Sequence, residues 1–172
     1  MLPEPANLAV HAGVWRDMAP HTATLSRLAA DATVIIEFGV RAGVSTWALL
    51  DGLPGQGRLW SVDIDPHSTR AIPRRVRNDP RWRLLIMDDR REDIQDWLPP
   101  RADLVLIDTT HEYHQTRHEL DLAHVLEARV ILCHDYALPD VEDAVMGFSR
   151  RRPYALEVED SEWSLAILRR LT

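Results

Sequence analysis

The chain contains no lysine: all 20 of its basic residues are arginine. An amine side chain is therefore excluded as a catalytic base. Cys133 is the single cysteine, which rules out an internal disulfide and a cysteine-based zinc site. Its place in an apolar run predicts a small buried strand residue. No apolar run approaches the ~20 residues that a membrane helix needs. The opening Met1-Leu2-Pro3-Glu4-Pro5 lacks a basic stretch and a long apolar stretch, so no signal peptide is expected and the cytoplasm is the expected location. Positive charge is also short. Twenty basic residues face 27 acidic ones, and the net charge of -7 argues against nucleic-acid binding.

What is present fits one folded unit. At 172 residues, a prior of about 150 per domain gives a single domain spanning 1–172. The chain is 45% hydrophobic and 27% charged, ordinary values for a globular protein. Short apolar runs alternate with amphipathic ones, the pattern of βαβ units and a mostly parallel sheet. Residues 4–31 read as largely helical, and 1–31 form an N-terminal cover, with 33–172 as the core. Strands are expected at Thr33–Phe38, Arg58–Asp63, Trp82–Met87, Leu104–Asp108 and Val130–Cys133. Helices are expected from Ser45 to Leu50, over 67–78, 91–98 and 112–127, and from Val141 to Arg150. Ser45 reads as the N-cap of the first of these. Two further strands, Tyr154–Val158 and Trp163–Leu168, are joined by a turn too short for a parallel crossover, so they form an antiparallel hairpin. The fold class is thus α/β: a Rossmann-like seven-stranded sheet, five strands parallel plus a C-terminal hairpin, with helices on both faces.

Chemistry gathers where these strands end, which is where open α/β sheets bind ligands. Gly39 and Gly43 follow the first strand and permit a tight turn and close ligand approach. The third glycine of the dinucleotide fingerprint is missing. The acidic Glu37 beside the loop disfavours a pyrophosphate and suits a ligand with an amino group, which points away from NAD and toward S-adenosylmethionine (SAM). Asp63, closing the second strand, can accept from both hydroxyls of a ribose. Asp65, before Pro66, reads as a turn or capping residue. Asp88 and Asp89, after the third strand, can accept from an adenine amino group. Asp108 and Asp135 end neighbouring strands and can converge on one hard cation. His111 lies within reach of the same place, and its type has an ordinary pKa suited to general-base work. His114 and His118 continue along a polar helix face and read as solvated. Trp15, in the N-terminal cover, is the tryptophan best placed for an acceptor pocket.

Taken together, the first strand and its loop, Asp63-Ile64-Asp65-Pro66, Asp108-Thr109-Thr110-His111-Glu112-Tyr113 and Cys133-His134-Asp135 resemble class I SAM-dependent methyltransferases. The likeness is to the branch of macrocin-type O-methyltransferases and cephalosporin-hydroxylase-like proteins, and more distantly to catechol O-methyltransferases. It spans roughly residues 33–150. The resemblance implies SAM at Glu37, Gly39, Gly43, Ser45, Asp63, Asp88 and Asp89. It implies a metal, Mg²⁺ or Mn²⁺, at Asp108, His134 and Asp135, and His111 as the base that works beside Asp108. It further implies metal-assisted O-methylation of a small-molecule hydroxyl, and a homodimer. One departure stands out: His134 occupies a position that is often acidic in metal-binding relatives. Imidazole suits Mn²⁺, Fe²⁺ or Zn²⁺ better than Mg²⁺. Three readings follow: a softer metal, a His134 that does not ligate, or no metal. A noncatalytic SAM-binding or interaction module with the same fold is the alternative function.

Overall fold

Within the buried strands, successive side chains point to opposite faces of the sheet, so each apolar run feeds two separate cores. The computed structural model describes residues 17–67, 70, 72–161 and 163–171. Its strands are β1 (Val34–Phe38), β2 (Arg58–Asp63), β3 (Trp82–Ile86), β4 (Leu104–Ile107), β5 (Val130–Cys133), β6 (Tyr154–Glu159) and β7 (Leu165–Arg170). They form one seven-stranded sheet in the order β3-β2-β1-β4-β5-β7-β6. The first five run parallel. Strand β7 lies antiparallel between β5 and β6.

Ile35, Leu104, Leu106 and Leu132 point to one layer, built by α1 (Thr22–Ala29), α2 (Val44–Gly52) and α3 (Arg74–Arg77). Ile36, Val105, Ile107, Ile131 and Cys133 point to the other, built by α4 (Ile94–Trp97), α5 (Tyr113–Val125) and α6 (Pro139–Ser149). Each such side chain, fully buried, contributes roughly 1.5–3 kcal/mol. Cys133 has the expected buried place, and burial pushes its thiol well above the ordinary range. Strand order reverses between β1 and β4, which opens a crevice at their carboxyl ends.

Several expected boundaries move, each for a physical reason. Of the helix expected over 67–78, residues 68, 69 and 71 lie outside the described residues, and the helix seen is Arg74–Arg77, because Pro73 disfavours helical backbone at the residue before it and serves as the helix's N-cap. Ser45 is not an N-cap. Gly43 takes that position with φ 79°, and Ser45 lies inside α2 with its hydroxyl turned to Glu37. Strand β7 begins two residues later than expected because its register is set by β5, Cys133 facing Ala166 and Val130 facing Arg169. Of the helix expected over 4–31, residues 1–16, with Trp15, lie outside the described residues. The remainder is a single-turn 3-10 helix at Ala19–His21, with Pro20 in its first turn, followed by α1.

Candidate active site

The carboxyl ends of the parallel strands meet in a cleft of about 360 Å³, a volume in the range of small-molecule sites. Gly39 and Arg41 line it from the loop after β1, Asp63 and Ile64 from β2, Asp88 and Asp89 from β3. Asp108, Thr109 and Gln115 complete it from β4 and α5.

The loop is held from two sides. Gly39 has φ 85°, and a side chain there would put a Cβ 1.9 Å from the carbonyl oxygen of Asp108. Only glycine lets β1 turn so close to the end of β4. Asp63 Oδ2 accepts from the backbone N–H of Val40 and of Arg41, at 2.9 and 3.1 Å. Its Oδ1 accepts from Asp65 N at 2.8 Å. Asp65 in turn caps His67 N, the turn role expected of it. Asp63 therefore both lines the cleft and fixes the shape of the loop opposite.

Glu37 is fully buried beneath this loop and does not line the cleft. Its oxygens accept from the hydroxyls of Ser45 at 2.6 Å, Thr46 at 2.8 Å and Ser61 at 2.5 Å. Trp82 donates to Ser61 behind them. Burial pushes the Glu37 carboxyl up to about 7, against the opposing pull of the three hydroxyl hydrogen bonds. Glu37 and Ser45 thus brace the junction of β1, α2 and β2 from below.

Asp88 is gripped by Arg90 through paired hydrogen bonds of 3.0 and 2.8 Å, which hold its carboxyl at about 2. Both oxygens of Asp89 accept from Gln115 Nε2 at 2.9 Å. His114 is exposed as expected, but His118 is not simply solvated: its Nε2–H donates to the Asp89 carbonyl at 3.0 Å.

Four side chains close the far side of Asp108. One ligand-type atom from each of Asp108, His111, His134 and Asp135 lies within 4.8 Å of all the others. His111 Nε2 sits 3.2 Å from Asp108 Oδ1 and 3.1 Å from Asp135 Oδ2. His134 Nδ1 is 3.2 and 3.1 Å from the same two oxygens. It lies off the line of a hydrogen bond to either, and is buried without a hydrogen-bond partner. Its other nitrogen donates to the Asp17 carbonyl at 3.3 Å. That contact leaves Nδ1 facing the two carboxylates, where loss of its proton would free a lone pair to join them around a cation. The donor set of two carboxylates and two imidazoles fits a divalent transition ion.

The charges here are strongly coupled. Burial pushes Asp108 up, but the hydrogen bond from His111 and the charge of the two imidazoles reverse this and hold it well below the usual carboxylate range. Burial pushes His134 down, and the two flanking carboxylates outweigh it, raising it to about 10. Backbone strain marks the same place. Arg41, His111 and Asp135 have φ of 47°, 59° and 53°, a left-handed conformation that costs non-glycine residues free energy and clusters at functional sites.

The family model Methyltransf_24, a methyltransferase domain, matches residues 36–136. The chain belongs to this methyltransferase family. The cofactor, metal and base residues singled out from the sequence all fall inside the matched stretch, and Trp15 falls outside it. No curated protein matches the methyltransferase in sequence. Its fold is shared with several solved structures. An O-methyltransferase from Bacillus cereus in complex with SAH is 14% identical, with TM-score 0.74, over 95% of this chain and 87% of that one. Cofactor-bound Rv0187 from MTB is 22% identical, with TM-score 0.73, over 96% and 89%. TomG from Streptomyces achromogenes, an O-methyltransferase of tomaymycin synthesis in complex with SAM, is 17% identical, with TM-score 0.71, over 89% and 81%.

Several residues of this methyltransferase site were not singled out from its sequence. Ile64, between two acids, is 64% exposed and lines the cleft, an apolar surface suited to the face of a ring. An apolar residue kept in a polar turn was the available signal. Gln115 and the buried Glu119 gave none, because each reads as an ordinary polar helix position. Asp17 and His21 reach the site only through tertiary contacts.

Proposed function

We propose that this methyltransferase uses SAM, and that it transfers the methyl group to a hydroxyl oxygen of a small molecule with the help of a divalent metal. The observation that carries the reading is the position of Asp108. It belongs at once to the cleft and to the quartet with His111, His134 and Asp135. A nucleoside in the cleft and a hydroxyl at the quartet would meet at this residue.

The glycine loop and Asp63 bind and orient the cofactor. Asp63 offers carboxylate lone pairs to the ribose, and Ile64 offers an apolar face to the base. Asp108, His134 and Asp135 would hold the cation, and the imidazole of His134 favours Mn²⁺ over Mg²⁺. Such an ion lowers the pKa of an alcohol and fixes its direction. His111 takes the hydroxyl proton at Nε2, a step worth ~10²–10⁴-fold. The oxygen lone pair then forms the new C–O bond as the carbon–sulfur bond of SAM breaks. Holding the two reactants in line supplies roughly 7–11 kcal/mol of the barrier reduction.

The test is thermal stability of the full chain with S-adenosylhomocysteine (SAH), with and without Mn²⁺. Ligand at ~100 times its Kd stabilises by roughly 2.7 kcal/mol, a rise of several degrees at this size. A rise with SAH and a further one with Mn²⁺ support both halves of the reading. Absence of any rise at millimolar SAH overturns it in favour of a noncatalytic module. A screen of hydroxyl compounds with labelled SAM then identifies the acceptor.

A further inference from the structure

Beneath the cleft, two acids and an amide form a cluster whose hydrogens can be counted. Gln115 Nε2 lies 2.9 Å from each oxygen of Asp89 and 2.8 Å from Glu119 Oε1. Thr109 donates to the other Glu119 oxygen at 3.1 Å. An amide nitrogen carries two hydrogens, and three carboxyl oxygens surround it here. Glu119 is fully buried, and Asp89 and Gln115 are nearly so. Burial pushes the Glu119 carboxyl up to about 9, and the hydrogen bond and charge of Asp89 add to the rise.

The arrangement fixes which way the Gln115 amide points. Turning it over would place its carbonyl oxygen against both oxygens of Asp89, which is repulsive in a buried setting. The nitrogen is thus held inward, and the amide oxygen has no hydrogen-bond partner among the described residues. Gln115 lines the cleft, so this oxygen is the acceptor it can offer to a ligand. The neighbouring carboxylates are engaged already, Asp88 by Arg90 and Asp89 by Gln115 itself.

We propose that Asp89 and Glu119 lock Gln115 so that its amide oxygen accepts from the 6-amino group of the cofactor's purine, selecting adenine over a 6-oxopurine. Glu119 is a positioning residue in this scheme, since it acts only through Gln115 and Asp89. The inference rests on the SAM reading above. A 6-oxopurine would set its own carbonyl against that of Gln115, two acceptors with no hydrogen between them.

The experiment is calorimetric titration of the full chain with SAH and with S-inosylhomocysteine, its 6-oxo counterpart. The wild type is expected to favour SAH by on the order of tenfold or more. Q115L removes the acceptor. The double variant D89N/E119Q keeps the shape of the cluster but supplies amide donors, so Gln115 can turn either way. Both are expected to bring the two ligands within about threefold of each other. A merely structural role would weaken both ligands alike and leave their ratio unchanged. Equal binding by the wild type, or an unchanged ratio in D89N/E119Q, overturns the selection while the cofactor reading stands. Failure of the wild type to bind either ligand overturns both.

Discussion

The imidazole of His21 stands edge-on to that of His134, with 5.6 Å between ring centres and 80° between planes. His21 is fully buried, and its two nitrogens face Glu159 Oε1, at 2.8 Å, and the carbonyl of Trp163. Thr24 holds the other Glu159 oxygen at 2.6 Å. His21 thus ties the segment before α1 to the β6–β7 turn, directly behind a proposed metal ligand. His21→Ala removes the partner of the part-exposed Glu159 carboxylate and of the Trp163 carbonyl and empties a fully buried position, a loss of about 1–3 kcal/mol. The midpoint of thermal unfolding should fall by roughly 2–10 °C. An unchanged midpoint would show that the clasp contributes nothing to the fold.

His111→Ala should separate chemistry from cofactor binding. Turnover is expected to drop ~10²–10⁴-fold. SAH affinity, measured by calorimetry, should stay within about twofold, because His111 contacts the quartet and does not line the cleft. A collapse of SAH binding would make His111 structural and end its assignment as the base.

Metal binding can be read without any turnover. Mn²⁺ should bind the wild-type chain in calorimetry, and His134→Ala and Asp135→Ala should each weaken it by on the order of tenfold or more. Mg²⁺ should bind more weakly than Mn²⁺, because one of the three proposed donors, His134, is an imidazole. Full Mn²⁺ affinity in both variants would remove these residues from the ligand set.

Glu37 gives the fold a pH dependence with a defined sign. Its folded pKa, about 7, stands above the ordinary 4.5. A raised carboxyl stabilises the fold fully below its unfolded pKa, and that contribution is lost as pH rises through the folded one. Between pH 5 and 8 the wild type should lose on the order of 2–3 kcal/mol from this group. Glu37→Gln, neutral throughout, should flatten that part of the curve in urea unfolding. Parallel curves for the two proteins would rule out the ionisation of Glu37 as its source.

Gly39→Ala should be among the most damaging single changes. The added Cβ would meet Asp108 backbone 1.9 Å away, at a φ that alanine disfavours. The expected cost is on the order of 3–5 kcal/mol, because neither the strand end nor the loop can move aside. Denaturant unfolding measures it directly. A loss below about 1 kcal/mol would mean that β4 yields at this point.

Much of this molecule was written in local order. The apolar runs Thr33–Phe38 and Leu104–Asp108, the spacing of the intervening helices and the short turn after Tyr154–Val158 were enough for a sheet of seven strands. They were enough because a strand's periodicity and a turn's length are properties of neighbouring residues. The same held for Asp108, His111, His134 and Asp135. Residues that follow consecutive parallel strands are brought to one edge by the topology itself, and the structure gathers all four.

Other features depend on which distant surfaces touch. The helix expected over 67–78 ran through Pro73, and the four helical residues after it were settled by packing of Val76 into the core. Ser45 had the composition of a cap, yet burial of Glu37 turned its hydroxyl inward. The partners of Glu37, Asp63 and Asp89 come from other strands and helices, so their hydrogen bonds were settled only when the chain folded. The sequence by itself determined the order of the elements and the strand ends that carry the chemistry, because both follow from local periodicity and connection length. Only the tertiary structure decided which carboxylates face the cleft and which brace it from below, because that depends on the groups competing for each oxygen across the sheet.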